Sequence, residues 1–369
     1  MKISFKRTTF ANAFKAAASV TAKRDVKPIL MNVKIRADKK TGVLLQATDT
    51  EMGIRLNVAD CNVFDEGEAL LPTNRIKSIL TDCRDNTLTL ESTESEITVS
   101  GERDKWLMDA LPPDELPDVK KFTAKAYHEI PAKILKEMIR RTVFAADKDN
   151  VRYALAGVSF EMIGSTVSVV ATNGKQLAWQ QGSGKSVKGH EVETAIVPAK
   201  ALQLLEKALP DDDTAVQFAI SQNLGLFQSG SVTFFSRLVE GHFPKWRKVI
   251  PVQNGNTSIE MLAGDLFSAI KRVAVTIPKW KPGVFFIFGD GKLELRGGNK
   301  SIGESSTEVP IVYNGEKKEF KIDSKCMTDM LRVIDSKTVV KLYPPQDDTP
   351  FVLAIDDGFT FVVQPMLDD

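Results

Sequence analysis

Three segments of the chain follow one template at equal spacing, and this repeat constrains the fold more than any other feature. Residues 70–80 (LLPTNRIKSIL), 195–205 (AIVPAKALQLL) and 321–331 (KIDSKCMTDML) each pass from a short apolar stretch through a helix start into an apolar stripe of helical period. Basic residues lie off the stripe. The starts, Pro72, Pro198 and Ser324, are separated by 126 residues in both steps. A period that long is a whole small domain, because solenoid units repeat every ~20–50 residues. Three equal domains in one chain point to an object built by symmetry, a ring or an arc.

Length alone allows one to three domains for 369 residues,. The repeat selects three, divided at 1–124, 125–252 and 253–369. Each third reads as β-α-β-β-β-α-β-β-β, with helices expected at 8–20, 72–82, 131–144, 198–209, 263–275 and 324–335. In the second copy Ile134, Leu135, Met138 and Ile139 form one stripe, with Lys133, Lys136, Arg140 and Arg141 off it,. Alternating runs such as VLLQATD (43–49), VSVVATN (167–173) and LELRGGN (293–299) read as strands,. Two helices on one face of mostly antiparallel strands make an α+β domain. The Pro-rich and Asn-Gly stretches 111–125 and 249–260 read as connections,.

Composition is that of a globular protein, 43% hydrophobic and 26% charged, with no apolar run long enough to span a membrane,. The N-terminal MKISFKRTTF puts charges where a signal peptide needs an apolar core, so a cytoplasmic location is expected,. Cys61, Cys83 and Cys326 are odd in number and far apart, which fits a reducing compartment rather than a disulfide framework or a CxxC metal site,. A net charge of +1 argues against nucleic acid. Its distribution argues the other way, since the six helices sum to a positive charge and the remainder to a negative one. Such a split suits one basic face aimed at a polyanion. The competing explanation is that solvated helix faces favour Lys and Arg in any protein.

Catalytic signals are thin. GSGKS (182–186) resembles the tail of a phosphate-binding loop, but Trp179 stands where that pattern needs Gly, and the following SVKGHEVETA does not read as a helix,. A nucleotide-hydrolysing enzyme using Gly182–Ser186 is the alternative reading. His128, His190 and His242 look isolated, and Asp211, Asp212 and Asp213 read as a solvated turn after Pro210,. No nucleophile with its base is apparent, so no catalytic residue, cofactor or metal is expected.

Several motifs converge in order and spacing. They are KPILMNVKI (27–35), ATDTEMGIRL (47–56), NVRYALAGVSFE (150–161), VATNGKQLA (170–178), FSRLVEGHFPKWRKVIP (235–251) and the closing FVVQPM (361–366). Together they resemble the bacterial DNA polymerase III beta subunits, the DNA sliding clamps, across essentially the whole chain. The resemblance implies three repeated clamp domains per chain and a head-to-tail homodimer forming a six-domain ring around duplex DNA. It implies a non-catalytic processivity subunit whose partners are the replicative polymerase, an ATP-driven clamp loader, and repair or translesion proteins carrying short clamp-binding peptides.

By matching positions, the resemblance assigns DNA contact to Lys23, Arg24, Arg152 and Tyr153. Lys136, Arg140 and Lys200 join them from the basic helix faces. Lys and Arg reaching phosphates suit a slider, because base-edge bonds would create sequence-dependent wells. The family's peptide groove maps onto Leu155, Thr172, Gly174, Leu177, Pro244, Lys248, Val249, Val362, Val363, Gln364, Pro365 and Met366. Apolar walls there would accept Leu and Phe anchors, with Met366 adaptable and Gly174 allowing close backbone approach. Lys175-Gln176 and the acidic tail Leu367-Asp368-Asp369 depart from the family pattern. Arg103, Lys105 and Trp106 are expected to meet Val275, Thr276, Ile302 and Glu304 at the dimer seam.

Overall fold

The computed structural model describes residues 1–22, 27–148, 153–251, 258–278, 280, 282–299, 303–346 and 349–367, without the side chains of Tyr153 and Asn299. The first third runs β1 (Lys2–Lys6), α1 (Arg7–Ala18), β2 (Asn32–Asp38), β3 (Gly42–Thr48), β4 (Met52–Val58), β5 (Cys61–Asp65), β6 (Gly67–Pro72), α2 (Thr73–Asp82), β7 (Thr87–Ser92), β8 (Glu96–Ser100) and β9 (Lys105–Asp109). The second runs β10 (Tyr127–Pro131), α3 (Ala132–Thr142), β11 (Gly157–Ile163), β12 (Thr166–Thr172), β13 (Gln176–Ser183), β14 (Lys185–Val187), β15 (Val192–Pro198), α4 (Ala199–Ala208), β16 (Ala215–Ser221), β17 (Leu224–Ser229) and β18 (Val232–Arg237). The third runs β19 (Ile259–Leu262), α5 (Ala263–Val273), β20 (Gly283–Gly289), β21 (Lys292–Asn299), β22 (Gly303–Pro310), β23 (Lys318–Asp323), α6 (Ser324–Leu331), β24 (Val339–Tyr343), β25 (Phe351–Ile355) and β26 (Phe359–Val363).

The element order repeats three times, with more strands between the helices than the expected three. β5 and β14 are short strands that the alternation signal is too brief to show, and the third copy has no counterpart among its described residues. The helix register also differs by one residue. Pro72 precedes α2 and Pro198 precedes α4, whereas Ser324 is the first residue of α6 and Asp323 its N-cap. The Asp323 carboxylate accepts from Lys325 N at 2.7 Å, satisfying an orphan first-turn amide. α1 and α5 lack such caps, and the first helix of each repeat uses the chain instead. Arg7 N donates to Asn86 O, Ala132 N to Thr214 O, and Ala263 N to Thr338 O, at 2.8–2.9 Å,.

Two compact units result. One comprises Met1–Lys136, Gly184–Glu191 and Lys200–Leu238, and the other Glu137–Ser183, Val192–Ala199 and Val239–Asp369. In the first unit, β5-β1-β7-β8-β9 form one sheet and β14-β10-β16-β17-β18-β4-β3-β2-β6 another. In the second, β15-β11-β12-β13-β26-β25-β24-β19 form one sheet and β22-β21-β20-β23 another. The nine-stranded sheet is continuous because β18 pairs with β4, and the eight-stranded sheet because β13 pairs with β26. β9 and β22 are therefore sheet edges among the described residues. β19 is another, pairing with β24 alone, whereas β1 and β10 each pair on both sides. On the inner faces Phe10, Phe14, Phe160, Phe218, Phe286 and Phe361 are fully buried, so each repeat closes over its own aromatic core.

Candidate functional site

The predicted peptide-groove residues lie on one unit, where Leu177 and Val362 come together on one face of the eight-stranded sheet while Val363, next along β26, lies on the other,. Leu177 of β13 sits opposite Val362 of β26, and both are buried with Val170, Val352 and Trp246. Trp179, Phe243, Ile250 and Tyr343 pack around them. The turn from β12 to β13 is built by side chains. Thr172 Oγ1 donates to Gln176 O at 2.6 Å and accepts from Gly174 N at 3.1 Å, while Asn173 Oδ1 accepts from the amides of Lys175 and Gln176 at 3.0 Å. Gly174 has φ +88°, a left-handed turn conformation that glycine adopts at no steric cost.

The segment over this face is fixed by a buried indole. Trp246 Nε1 donates to Glu161 Oε1 at 2.8 Å. Arg247 pairs with the other Glu161 oxygen at 2.5 Å and lies 4.1 Å over the Trp246 ring,. That anchor leaves Pro244, Lys248 and Val249 exposed, Val249 to 50%. On the other side Gln364 N donates to Lys175 O at 3.0 Å and Met366 N to Lys321 O at 2.7 Å. Gln364 is exposed and Pro365 and Met366 are half-buried, whereas Leu155, Val362 and Val363 are buried. The result is an apolar floor with an adjustable rim, suited to apolar anchors of an extended peptide. Sequence reading missed Glu161, Trp179, Trp246 and Tyr343. The signal was the WRK following Pro244, whose partner glutamate lies 85 residues away.

The predicted DNA-facing residues fare unevenly. Lys23, Arg24 and Arg152 lie outside the described residues, as does the side chain of Tyr153. Arg140 is exposed on α3. Lys200 is exposed on α4 and makes an ion pair at 3.3 Å with Asp49. Lys136 differs from expectation. It is only 8% exposed and donates to Leu209 O at 3.1 Å and to the surface carboxylate of Asp211 at 2.5 Å, so its charge is already paired within the chain. Arg141 is likewise 7% exposed, paired with Glu137 and Asp357 and bonded to Gln180. A helical wheel places both residues off the apolar stripe, yet long side chains reach inward to partners distant in sequence.

At the seam residues, Arg103 and Lys105 are exposed and Trp106 is half-buried in a cleft of about 650 Å³ with Asn74, Ser78 and Ile79 of α2. Val275 is 80% exposed, and Thr276 shares a 2.6 Å hydrogen bond with Ser305. Glu304 is exposed on β22, and Ile302 lies outside the described residues.

The GSGKS segment ends β13 and enters β14, with no helix to receive a phosphate, and Lys185 is exposed,. Asp211 is partnered by Lys136, and hydrogen bonds from the Thr214 hydroxyl and amide hold the Asp212 carboxyl below its ordinary range. His128 and His190 are not isolated as expected. Their Nδ1 atoms are 2.8 Å apart across β10 and the turn after β14, and burial followed by the neighbouring ring pushes the His190 pKa down. Among the described residues, Cys83, Asp85 and Asp104 form a group close enough to share an ion. Asp85 Oδ2 already accepts Glu102 N at 2.8 Å.

An apolar peptide-sized face and, among the described residues, open sheet edges on a thrice-repeated fold suit a protein that binds and assembles. Comparisons give the family. Residues 1–120 match the N-terminal domain and residues 129–245 the central domain of the DNA polymerase III beta subunit. The chain is 26% identical to the beta sliding clamp of Pseudomonas aeruginosa, over 99% of this chain and 100% of that one. A solved sliding clamp (DNA polymerase III subunit beta) from Pseudomonas aeruginosa bound to griselimycin superposes with TM-score 0.91 at 25% identity, covering 100% of both chains. The sliding clamp of Bacillus subtilis gives TM-score 0.91 at 22% identity over the same full coverage, a likeness of fold. The chain belongs to the DNA polymerase III beta subunit family, the bacterial sliding clamps.

Proposed function

We propose that two copies of this chain close head to tail into a ring that encircles duplex DNA and tethers the replicative polymerase. The repeated element order supports reading the chain as three clamp domains at 1–124, 125–252 and 253–369. The observation that carries the ring is the pairing rule of the repeats. The last strand of the first repeat's inner group, β4, pairs with the last strand of the second repeat, β18, and β13 pairs with β26 in the same way. The rule leaves β22 and β9 as the unsatisfied pair, and a second copy supplies both.

The rule also specifies register. Ile3, His128 and Ile259 each stand four residues before a first helix. Following ladder partners from them across each sheet leads to Trp106, Phe234 and Phe361. Phe234 faces Ile54 and Phe361 faces Ala178, whose counterpart on β22 is Ser305. Trp106 is thereby placed opposite Ser305 of a second copy, and Leu107 opposite Glu304. The open cleft at Trp106 and the exposed Val275 beside Ser305 complement each other.

Exposed basic residues such as Lys15, Lys77, Lys133, Arg140 and Lys271 on the helices support phosphate contact without base readout, together with Lys23, Arg24 and Arg152. The Leu177–Val362 face is the site for clamp-binding peptides of polymerase, loader and repair proteins. Chemistry is left to those partners, and the chain acts as a non-catalytic processivity subunit. No described helix is long and apolar enough to cross a membrane. Retention on DNA tests enclosure: protein loaded on a nicked circular plasmid should stay until the plasmid is linearised. Equal loss from circular and linear DNA would refute it.

A further inference from the structure

The groove over the Leu177–Val362 face has a rim of one charge sign. Ladder partners Tyr343, Val352, Val362 and Leu177 stand side by side across four strands, an uncharged floor. Residues 172–177 (TNGKQL), 242–250 (HFPKWRKVI) and 362–367 (VVQPML) border it. They hold the cations Lys175, Lys245, Arg247 and Lys248 and no acid, in a chain whose net charge is only +1. Arg247 is neutralised, because Glu161 accepts from it and from the Trp246 indole. That carboxylate is only 13% exposed and is fully engaged inside the protein. Lys175, Lys245 and Lys248 are exposed and make no ion pair among the described residues. Elsewhere in the same unit Lys292, Lys325 and Lys341 have carboxylate partners in Glu308, Asp329 and Asp356. The unpaired lysines occupy two borders of the floor. Lys175 lies in the turn before β13, where its carbonyl holds Gln364 N at 3.0 Å, and Lys245 and Lys248 flank the Trp246 anchor.

We infer that this groove selects peptides whose apolar anchors are flanked by acidic residues. The inference rests on the groove reading proposed above and adds a charge preference to it. An apolar floor accepts any Leu or Phe of the right size and so discriminates little between partners. Unpaired cations on its borders favour acidic neighbours of those anchors and repel basic ones. Each such pair stays in solvent, so it weighs little alone and salt screens it. Three together separate peptides that share the same anchors. The lysines border an apolar floor, which a phosphate backbone does not use, so their placement suits a peptide better than nucleic acid. The acidic pairs Asp347-Asp348 and Asp368-Asp369 of the chain itself lie outside the described residues; if they neutralised the rim, the preference would vanish.

The test is fluorescence anisotropy of labelled peptides titrated with the full chain at low and high salt. Three share their anchors, SSLSLFSS, DDLSLFDD and KKLSLFKK, and a fourth, DDGSGSDD, has none. At low salt DDLSLFDD should bind about tenfold more tightly than KKLSLFKK, with SSLSLFSS between them, and high salt should shrink the gap. Changing Lys175→Gln, Lys245→Gln and Lys248→Gln together should bring the three affinities within about twofold. Changing the same three to Arg should keep the gap. Equal affinities in the unaltered chain, or a gap that survives the Gln changes, overturn the charge preference and leave the groove standing. Binding of DDGSGSDD as tight as that of DDLSLFDD reduces the effect to attraction of any polyanion and also overturns it. If neither SSLSLFSS nor DDLSLFDD binds saturably, the groove reading itself fails and takes the inference with it.

Discussion

Truncating Leu107 should weaken ring closure by an amount the single chain already sets. Leu107 is 59% exposed on β9, and in the proposed ring it packs against β22 of a second copy. Full burial of a leucine contributes about 2 kcal/mol, so covering the exposed fraction contributes about 1 kcal/mol per seam. Head-to-tail closure has two identical seams, and Leu107→Ala should therefore cost about 2 kcal/mol, roughly a 30-fold rise in dimer dissociation constant. Sedimentation equilibrium from nanomolar to micromolar chain measures it. A cross-link checks the register independently, in a Cys61→Ser, Cys326→Ser background. Leu107→Cys with Glu304→Cys should join the two copies, because facing β residues have Cβ atoms about 5 Å apart. Leu107→Cys with Ser305→Cys should not, since a one-residue slip moves the side chain to the opposite face. An unchanged dissociation constant, or the reverse cross-linking pattern, would refute the rung-counting.

Other outcomes follow from the same geometry. Truncation after Gln364 removes the Pro365–Met366 rim and should abolish clamp-peptide binding with the dimer intact; an earlier cut would also take Val362 and Val363 from the sheet. Lys136→Met should lower stability by about 1–2 kcal/mol, read as a melting shift, and leave DNA retention unchanged, whereas Arg140→Glu should shorten retention on nicked circles. Because the folded His190 holds its proton less tightly than the ordinary pKa of 6.5, the unfolded form binds more protons as pH falls. The His128–His190 contribution should be present above about pH 6.5 and lost below it, seen as faster amide exchange in β14 and abolished by His190→Asn. Burial, with nearby aspartates, pushes the Cys61 thiol to about 11 and the Cys326 thiol to about 12, so both should alkylate far more slowly than free cysteine at pH 8.

The repeat and the six helices were legible because they depend on local period. The Leu135, Met138 and Ile139 stripe is buried as its spacing demands. What escaped depends on distant pairing. Lys136 and Arg141 look like solvated charges until Asp211 and Asp357 arrive from far along the chain. The two histidines of the close pair are 62 residues apart, and no periodicity links them. β14 has three residues, below the length at which alternation can be distinguished from chance.

The edge of β19, unpaired among the described residues, carries its own hazard. A strand with one unsatisfied side can recruit further chains into an endless stack. This one is only four residues long, runs straight into a helix, and points the exposed Glu260 outward. Shortness and charge are the usual guards against such polymerisation. Glu260→Val would remove one of them, and the cost would appear as fibres at high concentration rather than as any change in the folded monomer.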